Sequence, residues 1–333
     1  LIGEMEGLSF PEAVEFLAER AGLAVETTPA DEEGERERRS LFELYERVTK
    51  TFNYLLEKDA RGSNALEYAQ KRGLDGDVRT RFELGYAVDN GRWLYHFLQQ
   101  KSYSAGFLKR CGLFSNRSPE FSLFRNRLIF PIRDERRRVV AFGGRALSPE
   151  DRAKYINSPE TPIYNKKRTL YGLHLALEAM RHTKQVYIAE GYTDVIALQS
   201  AGFENAVAPL GTAFTEEQAR LLKRWIDEVI LVFDADQAGI DATFRAAGVA
   251  ERAGLGCRAI AVSSGKDPAE LYANQGRDGV TALIERSVPV FEYLLDSVVS
   301  GVNPRDSRSR ELLLRKLFPY ISIVSSEVRR ETL

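Results

Sequence analysis

The spacing of apolar residues along this chain changes period several times. Between Leu41 and about Gln70 they fall at Leu41, Leu44, Tyr45, Val48, Phe52, Leu55 and Leu56, the three-and-four rhythm of one helical face, which predicts a long amphipathic helix. Upstream, Ser9, then Pro11 and A-V-E-F-L-A-E-R-A-G predict a capped helix that stops at Gly22. Glu26 to Arg39 is polar and charged, either a link or the start of the next helix. A short helix is expected over Trp93 to Gln100. R-L-I-F-P-I-R and V-V-A-F-G-G-R, joined by the charged turn Asp134 to Arg138, predict a hairpin. K-Y-I-N-S-P-E-T-P-I-Y-N-K-K-R combines prolines, turn formers and basic residues and reads as a fixed loop, with a helix expected from Leu170 to Arg181.

From Val186 the pattern alternates cleanly. V-Y-I-A-E (Val186 to Glu190), A-V-A-P-L, V-I-L-V-F and R-A-I-A-V read as strands, separated by helical stretches at Asp194 to Ala201, Thr215 to Trp225 and Ala238 to Ala253. Such alternation with short connections predicts a mainly parallel sheet covered on both faces. The working groups of open sheets lie beyond the carboxyl ends of the strands. Glu190, Asp234 with Asp236, and Asp267 each follow a strand, so the fold should gather these carboxylates on one rim. From Gly279 to Leu333 the pattern is helical again. The expected fold class is α/β with several subdomains: 1–40 a helix and link, 41–183 a mixed α/β basic subdomain, 184–278 the parallel sheet, and 279–333 an incomplete helical subdomain.

With 333 residues, 44% apolar and 29% charged, the chain can bury one large core or several smaller ones. Cys111 and Cys257 are single and far apart, so neither a C-x-x-C zinc pattern nor a disulfide framework is present; zinc is not expected, and a reducing compartment is. His96, His174 and His182 are scattered, which argues against a histidine-rich metal site. No apolar run approaches a membrane span and no signal-peptide pattern opens the chain, so a cytoplasmic protein without membrane attachment is expected. The start at Leu1 points to a piece of a longer chain. The net charge of −1 hides an asymmetry: residues 125–168 hold twelve Arg or Lys against five Asp or Glu, and residues 186–270 hold seven against thirteen. A polyanion-binding surface beside a cation-binding pocket has this distribution, and so do two solvated faces that pair with each other.

In V-I-L-V-F-D-A-D-Q-A-G (Val229 to Gly239) an apolar strand ends in two aspartates one residue apart. Alternate side chains of an extended chain share a face, so Asp234 and Asp236 aim two anions into one space. A divalent cation would relieve the repulsion, and an all-carboxylate set suits Mg²⁺ or Mn²⁺. The competing reading makes Asp236 the cap of the following helix and leaves Asp234 in solvent.

E-G-Y-T-D-V and F-D-A-D-Q-A-G resemble the motifs of the TOPRIM fold. R-N-R-L-I-F-P-I-R, A-F-G-G-R, K-Y-I-N-S-P-E-T-P, L-Y-G-L and A-P-L-G-T-A, in that order, resemble signatures of the catalytic core of bacterial DNA primases of the DnaG type. The resemblance covers roughly Phe10 to Phe291. It implies synthesis of short RNA primers on single-stranded DNA from ribonucleoside triphosphates, with Mg²⁺ or Mn²⁺ as cofactor, in the bacterial cytoplasm at the replicating nucleoid. By position, Glu190 matches the TOPRIM glutamate, Asp234 and Asp236 the paired metal-binding aspartates, and Asp267 a further acidic position. Asp194 is implied in the acidic cluster or caps its helix. The family often shows D-P-D where this chain has Asp267, Pro268 and Ala269, so one outer ligand is missing.

Arg127, Arg145, Lys154, Asn157 and Lys166, with Arg81 a looser match, are implied to contact template, nucleotide or growing RNA; guanidinium groups suit bidentate phosphate binding and lysines act as compact charges. Tyr155 and Tyr164 either stack on bases or pack beside the prolines. Arg137 stands where the family often has glycine; a positive φ there would cost about 1 kcal/mol, and an altered turn is expected. Gly143-Gly144 and Gly211-Thr212 serve either close packing or ligand approach, and Trp93 and Trp225 are expected in the core. The family usually carries a zinc ribbon before the core and a helicase-binding domain after it, so a replicative helicase is an expected partner through a missing C-terminal domain. A TOPRIM nuclease or topoisomerase and a non-catalytic DNA-binding scaffold are the alternatives.

Overall fold

The structure, a computed structural model, describes residues 10–21, 29–151, 153–262, 267–299 and 307–324. Helix α1 (Phe10–Ala21) and the long helix α2 (Pro29–Glu57) come first. The cap expected at Ser9 and the stop expected at Gly22 lie outside the described residues. Helix α2 already starts at Pro29, with Asp31 and Glu32 in its first turn, and runs unbroken through position 40. Its apolar stripe is the predicted one: Leu41, Leu44, Tyr45, Val48, Phe52, Leu55 and Leu56 are all buried. The helix does not reach Gln70 as expected. The Asp59 carboxylate accepts hydrogen bonds from the Arg61 backbone N–H and guanidinium, a 3₁₀ turn follows at Ala60–Gly62, and α3 (Ser63–Lys71) begins afresh. A Cβ at Gly62 would overlap the Leu55 carbonyl, so the turn needs glycine for its close return to α2.

Helices α4 (Gly76–Arg81), α5 (Trp93–Gln100) and α6 (Ala105–Arg110) flank an antiparallel sheet built from β1 (Gly85–Ala87), β2 (Arg127–Arg133), β3 (Val139–Ala146) and β4 (Tyr155–Asn157), in that order. The predicted hairpin is β2–β3. Strand β4 lies where a loop was expected; only three residues pair with β3. Cross-strand partners share a face. Phe142 packs toward α2, its ring 5.2 Å from Tyr45 and 5.6 Å from Phe52. The opposite face carries Phe130, paired with Gly143, and Leu128, paired with Arg145. The hairpin turn keeps a left-handed residue, contrary to the expected alteration: Arg137 has φ +66°. Asp134 holds it there by accepting the backbone N–H groups of Arg136 and Arg138 and the Arg138 guanidinium, and Arg133 donates to the Arg137 carbonyl.

Helix α7 (Leu173–Thr183) leads into the second sheet, where β5 (Gln185–Ala189), β6 (Ala206–Val207), β7 (Glu228–Asp234) and β8 (Gly256–Val262) alternate with α8 (Tyr192–Ser200), α9 (Glu216–Leu222) and α10 (Gln237–Arg252). After α11 (Pro268–Ile284) come β9 (Val288–Pro289), α12 (Val290–Val299) and α13 (Ser307–Ile323). The order is β6-β5-β7-β8-β9, parallel except for β9. Alternation along β7 divides the core. Val229, Leu231 and Phe233 join one cluster with α7, α9, α10, α12 and α13, while Ile230 and Val232 join another that includes α8, α11 and the whole first sheet. The predicted fold class, α/β with a mainly parallel sheet covered on both faces, is observed. Strand β9 falls in the stretch expected to be helical. Trp93 and Trp225 were expected in the core but are half-buried at its edge, stacked under Arg61 at 5.0 Å and Arg224 at 4.8 Å.

Candidate active site

The parallel sheet brings Glu190 to Asp234. Strands β5 and β7 are neighbours with Ala189 opposite Val232, so the two chains leave the sheet side by side, and the Glu190 carboxylate accepts the Asp234 backbone N–H at 2.8 Å. Asp236 caps α10, its Oδ1 accepting the Gly239 N–H at 2.8 Å. Asp267 caps α11 in the same way, accepting the Glu270 N–H at 2.6 Å. Of the two readings of D-A-D, the cap is observed at Asp236, which uses only its Oδ1 for it.

Asp194, in the first turn of α8, completes the group. Burial, followed by the charges of Asp267, Asp234 and Glu190, pushes it up to about 7, against the lowering effect of the nearby Ala269 N–H. Glu190 is raised by burial, opposed by the N–H it accepts and helped by the charges of Asp234 and Asp236. Asp234 is raised by burial and then by Asp236 and Asp267. Five carboxylates thus share one electrostatic neighbourhood, and no Lys or Arg of the described residues enters as an opposing cause.

Among the described residues, no three His, Cys, Asp or Glu side chains stand grouped as a ready-made metal cage. Mg²⁺ seldom uses one: it keeps several waters and takes one or two carboxylates together with substrate phosphates. The donors fit such an ion on two counts. They are all hard oxygens, and the surplus negative charge that raises Asp194 is what a dication removes.

The basic residues are placed less uniformly. Arg145 is buried, donates to the Tyr155 hydroxyl at 2.5 Å and lies 5.5 Å from the Tyr68 ring and 5.2 Å from the Tyr155 ring. Its Nε has no hydrogen-bond partner. Arg127 pairs with Ala146, on the other face of the first sheet from Arg145, and donates to the carbonyls of Gly144 and Ala153 at 3.2 and 3.0 Å. Lys154 is exposed and Lys166 half-exposed. Arg81 pairs with Glu204 at 3.4 Å on the surface between the two halves. Asn157 accepts the Tyr192 hydroxyl. The acids are thus brought together, Arg145 and Asn157 sit on the sheet face that meets α8, and Arg127 sits on the face that does not.

Tyr164 is buried and Tyr155 belongs to an aromatic cluster with Phe130 and Tyr192, so both pack locally. A Cβ on Gly143 would overlap the Tyr192 ring, and one on Gly211, which has φ +71°, would lie 2.8 Å from Asn157 Nδ2. Both glycines serve close packing. Tyr192 itself was not singled out from the sequence. It is buried, 5.0 Å from Phe130 and 4.7 Å from Tyr171 between ring centroids. The signal for it was Gly143, since glycine inside a strand marks the close approach of another group.

Residues 51–177 match the DNA primase catalytic core, N-terminal domain, and residues 184–261 match the Toprim domain. A structure of the DnaG primase catalytic domain bound to single-stranded DNA is similar with TM-score 0.77 at 33% identity, over 89% of this chain and 94% of that one. This chain belongs to the DnaG primase catalytic-core family. The E. coli primase catalytic core is similar with TM-score 0.75 at 33% identity, over 88% of this chain and 94% of that one. The DNA primase of Treponema pallidum (strain Nichols) is 37% identical over 331 residues, 98% of this chain and 54% of that protein. The chain spans about half the length of the DNA primases it matches. The first match ends at residue 177 within α7 and the second begins at 184, just before β5, where the chain passes from the first sheet to the second. Among the described residues no helix is long and apolar enough to cross a membrane.

Proposed function

We propose that this chain is the polymerising part of a primase, joining ribonucleoside triphosphates into short RNA primers on single-stranded DNA in the bacterial cytoplasm. The observation that carries this reading is the 2.8 Å contact between Glu190 and Asp234 within a group of five carboxylates, in a member of the DnaG family. The 3′-hydroxyl of one nucleotide attacks the α-phosphorus of the next; the bond from that phosphorus to the bridging oxygen breaks, and pyrophosphate leaves. Glu190, Asp234 and Asp236, with Asp267 as a further ligand, would hold Mg²⁺ or Mn²⁺, which would acidify that hydroxyl so that its proton passes to solvent and would neutralise charge on the leaving oxygens.

The chain's own residues place the reactants. Asp194 lies beside the Ala269 N–H in the first turn of α11, the helix that Asp267 caps. Arg145 keeps one buried N–H without a partner, so a ligand oxygen there satisfies a donor that burial otherwise leaves costly. Lys154 and Lys166 offer ammonium charges to phosphates. Arg127, bonded to two carbonyls on the far face, braces the sheet and reaches a ligand only past its end. In this division of labour residues 41–183 grip template and nucleotide and 184–278 carry the chemistry. The likeness to a DnaG catalytic domain bound to single-stranded DNA supports the template.

The test supplies single-stranded template, a short RNA primer, ribonucleotides and Mg²⁺ or Mn²⁺, so that elongation is read without initiation partners. Wild type should extend the primer; Glu190→Gln and Asp234→Asn should each lose at least about 100-fold in rate while binding template as wild type does. Cleavage of the DNA would instead favour a nuclease. Template binding by a folded protein with neither activity would favour a scaffold.

A further inference from the structure

We infer that the hydrogen bond from Tyr192 to Asn157 is a positioning device that sets the register between the carboxylate rim and the basic sheet, an inference that rests on the polymerase reading and reassigns Asn157 from ligand contact to alignment. Tyr192 occupies the turn that leaves β5 and opens α8, two residues after Glu190 and two before Asp194. Its hydroxyl donates to Asn157 Oδ1 on β4. The next residue, Thr193, lies close enough to the Tyr155 hydroxyl to lower its pKa, and the Tyr155 hydroxyl accepts Arg145 at 2.5 Å. Two consecutive residues of the acidic motif therefore meet two alternate residues of β4, which share a face of the strand, and the first of them bonds Asn157. Lys154 directly precedes them.

Two glycines clear the space for this bond. Gly143, paired with Asn157 across the strands, leaves the volume that the Tyr192 ring fills, and Gly211 approaches Asn157 Nδ2 with φ +71°. The Tyr192 ring already packs against Phe130 and Tyr171, so the ring supplies adhesion and the hydroxyl supplies direction. Group transfer is sensitive to such direction: a misplacement of about 1 Å can lower a rate about 100-fold. The hydroxyl is thus a positioning group, with no contact to reactants.

The experiment uses the whole 333-residue chain with Tyr192→Phe, Asn157→Ala and the double variant. In primer extension kcat should fall about 10- to 100-fold at unchanged nucleotide KM, with template affinity and Tm near wild type. The double variant should be no slower than either single change, because both break one bond. Were Asn157 a ligand contact, Asn157→Ala would raise KM and the two effects would multiply, which overturns the inference, as does a Tyr192→Phe kcat within about twofold of wild type. A second readout needs no activity. Nitroxides at Lys154→Cys and Glu217→Cys, in a Cys257→Ser background with Cys111 buried, should give one narrow distance that Tyr192→Phe broadens or shifts. An unchanged distance sinks the inference whether or not the protein polymerises, whereas an inactive wild type with a shifted distance sinks only the polymerase reading.

Discussion

The His174 imidazole on α7 is half-buried with Nδ1 lacking a hydrogen-bond partner, and burial, followed by the charges of Arg133 and Arg137, lowers it from 6.5 to about 4. The unfolded chain takes up a proton near the ordinary value while the folded chain waits until about 4. Between those values unfolding binds a proton, so stability falls as pH drops through that window and is unaffected by this group above it. Allowing for partial exposure, the loss at the bottom of the window is about 1 to 2 kcal/mol. Urea unfolding at pH 7 and pH 4.5 should show His174→Gln losing less stability than wild type; equal losses would refute the assignment. At this scale the sequence was legible where a residue's place follows from its own strand. Glu190 and Asp234 end parallel neighbours, so their meeting could be foreseen. Arg127 and Arg145 could not be sorted, because they lie on different strands and their relative face depends on the hairpin register.

Among elements, the β2–β3 hairpin carries strain at Arg137. Left-handed backbone costs a non-glycine residue about 1 kcal/mol, and replacing it with glycine gives part of that back as freedom in the unfolded chain. Arg137→Gly should therefore stabilise the protein by about 0.5 kcal/mol, read as a small rise in Tm. It also removes one of the two charges that depress His174, so the imidazole's titration followed by NMR should move up; a titration that stays put would place Arg137 elsewhere. The three missed strands and the missed helix break have different causes. Strands β1, β4 and β9 have three, three and two residues, and runs that short take their conformation from the strand they pair with. The break after Glu57 was written in D-A-R-G-S, whose turn chemistry the continuing apolar rhythm obscured.

Over the whole molecule, the uneven distribution of charge separates into a carboxylate rim on one sheet and Arg or Lys on and after the strands of the other. Template affinity measured by fluorescence anisotropy between 50 and 200 mM salt should fall steeply, and Lys154→Ala should lower the log–log slope by about one; an unchanged slope would take Lys154 off the DNA path. The outer margin of the second sheet is finished by chain that arrives after α11: Arg258 and Ala259 of β8 pair with Pro289 and Val288, and the Arg258 guanidinium bonds the Ser287 hydroxyl and carbonyl. That seam makes the carboxylate-bearing half inseparable from its successor. Severing the polypeptide ahead of Ser287 would strip β8 of its outer neighbour and present a row of unpaired amides and carbonyls to other molecules, turning the fragment into a seed for stacking.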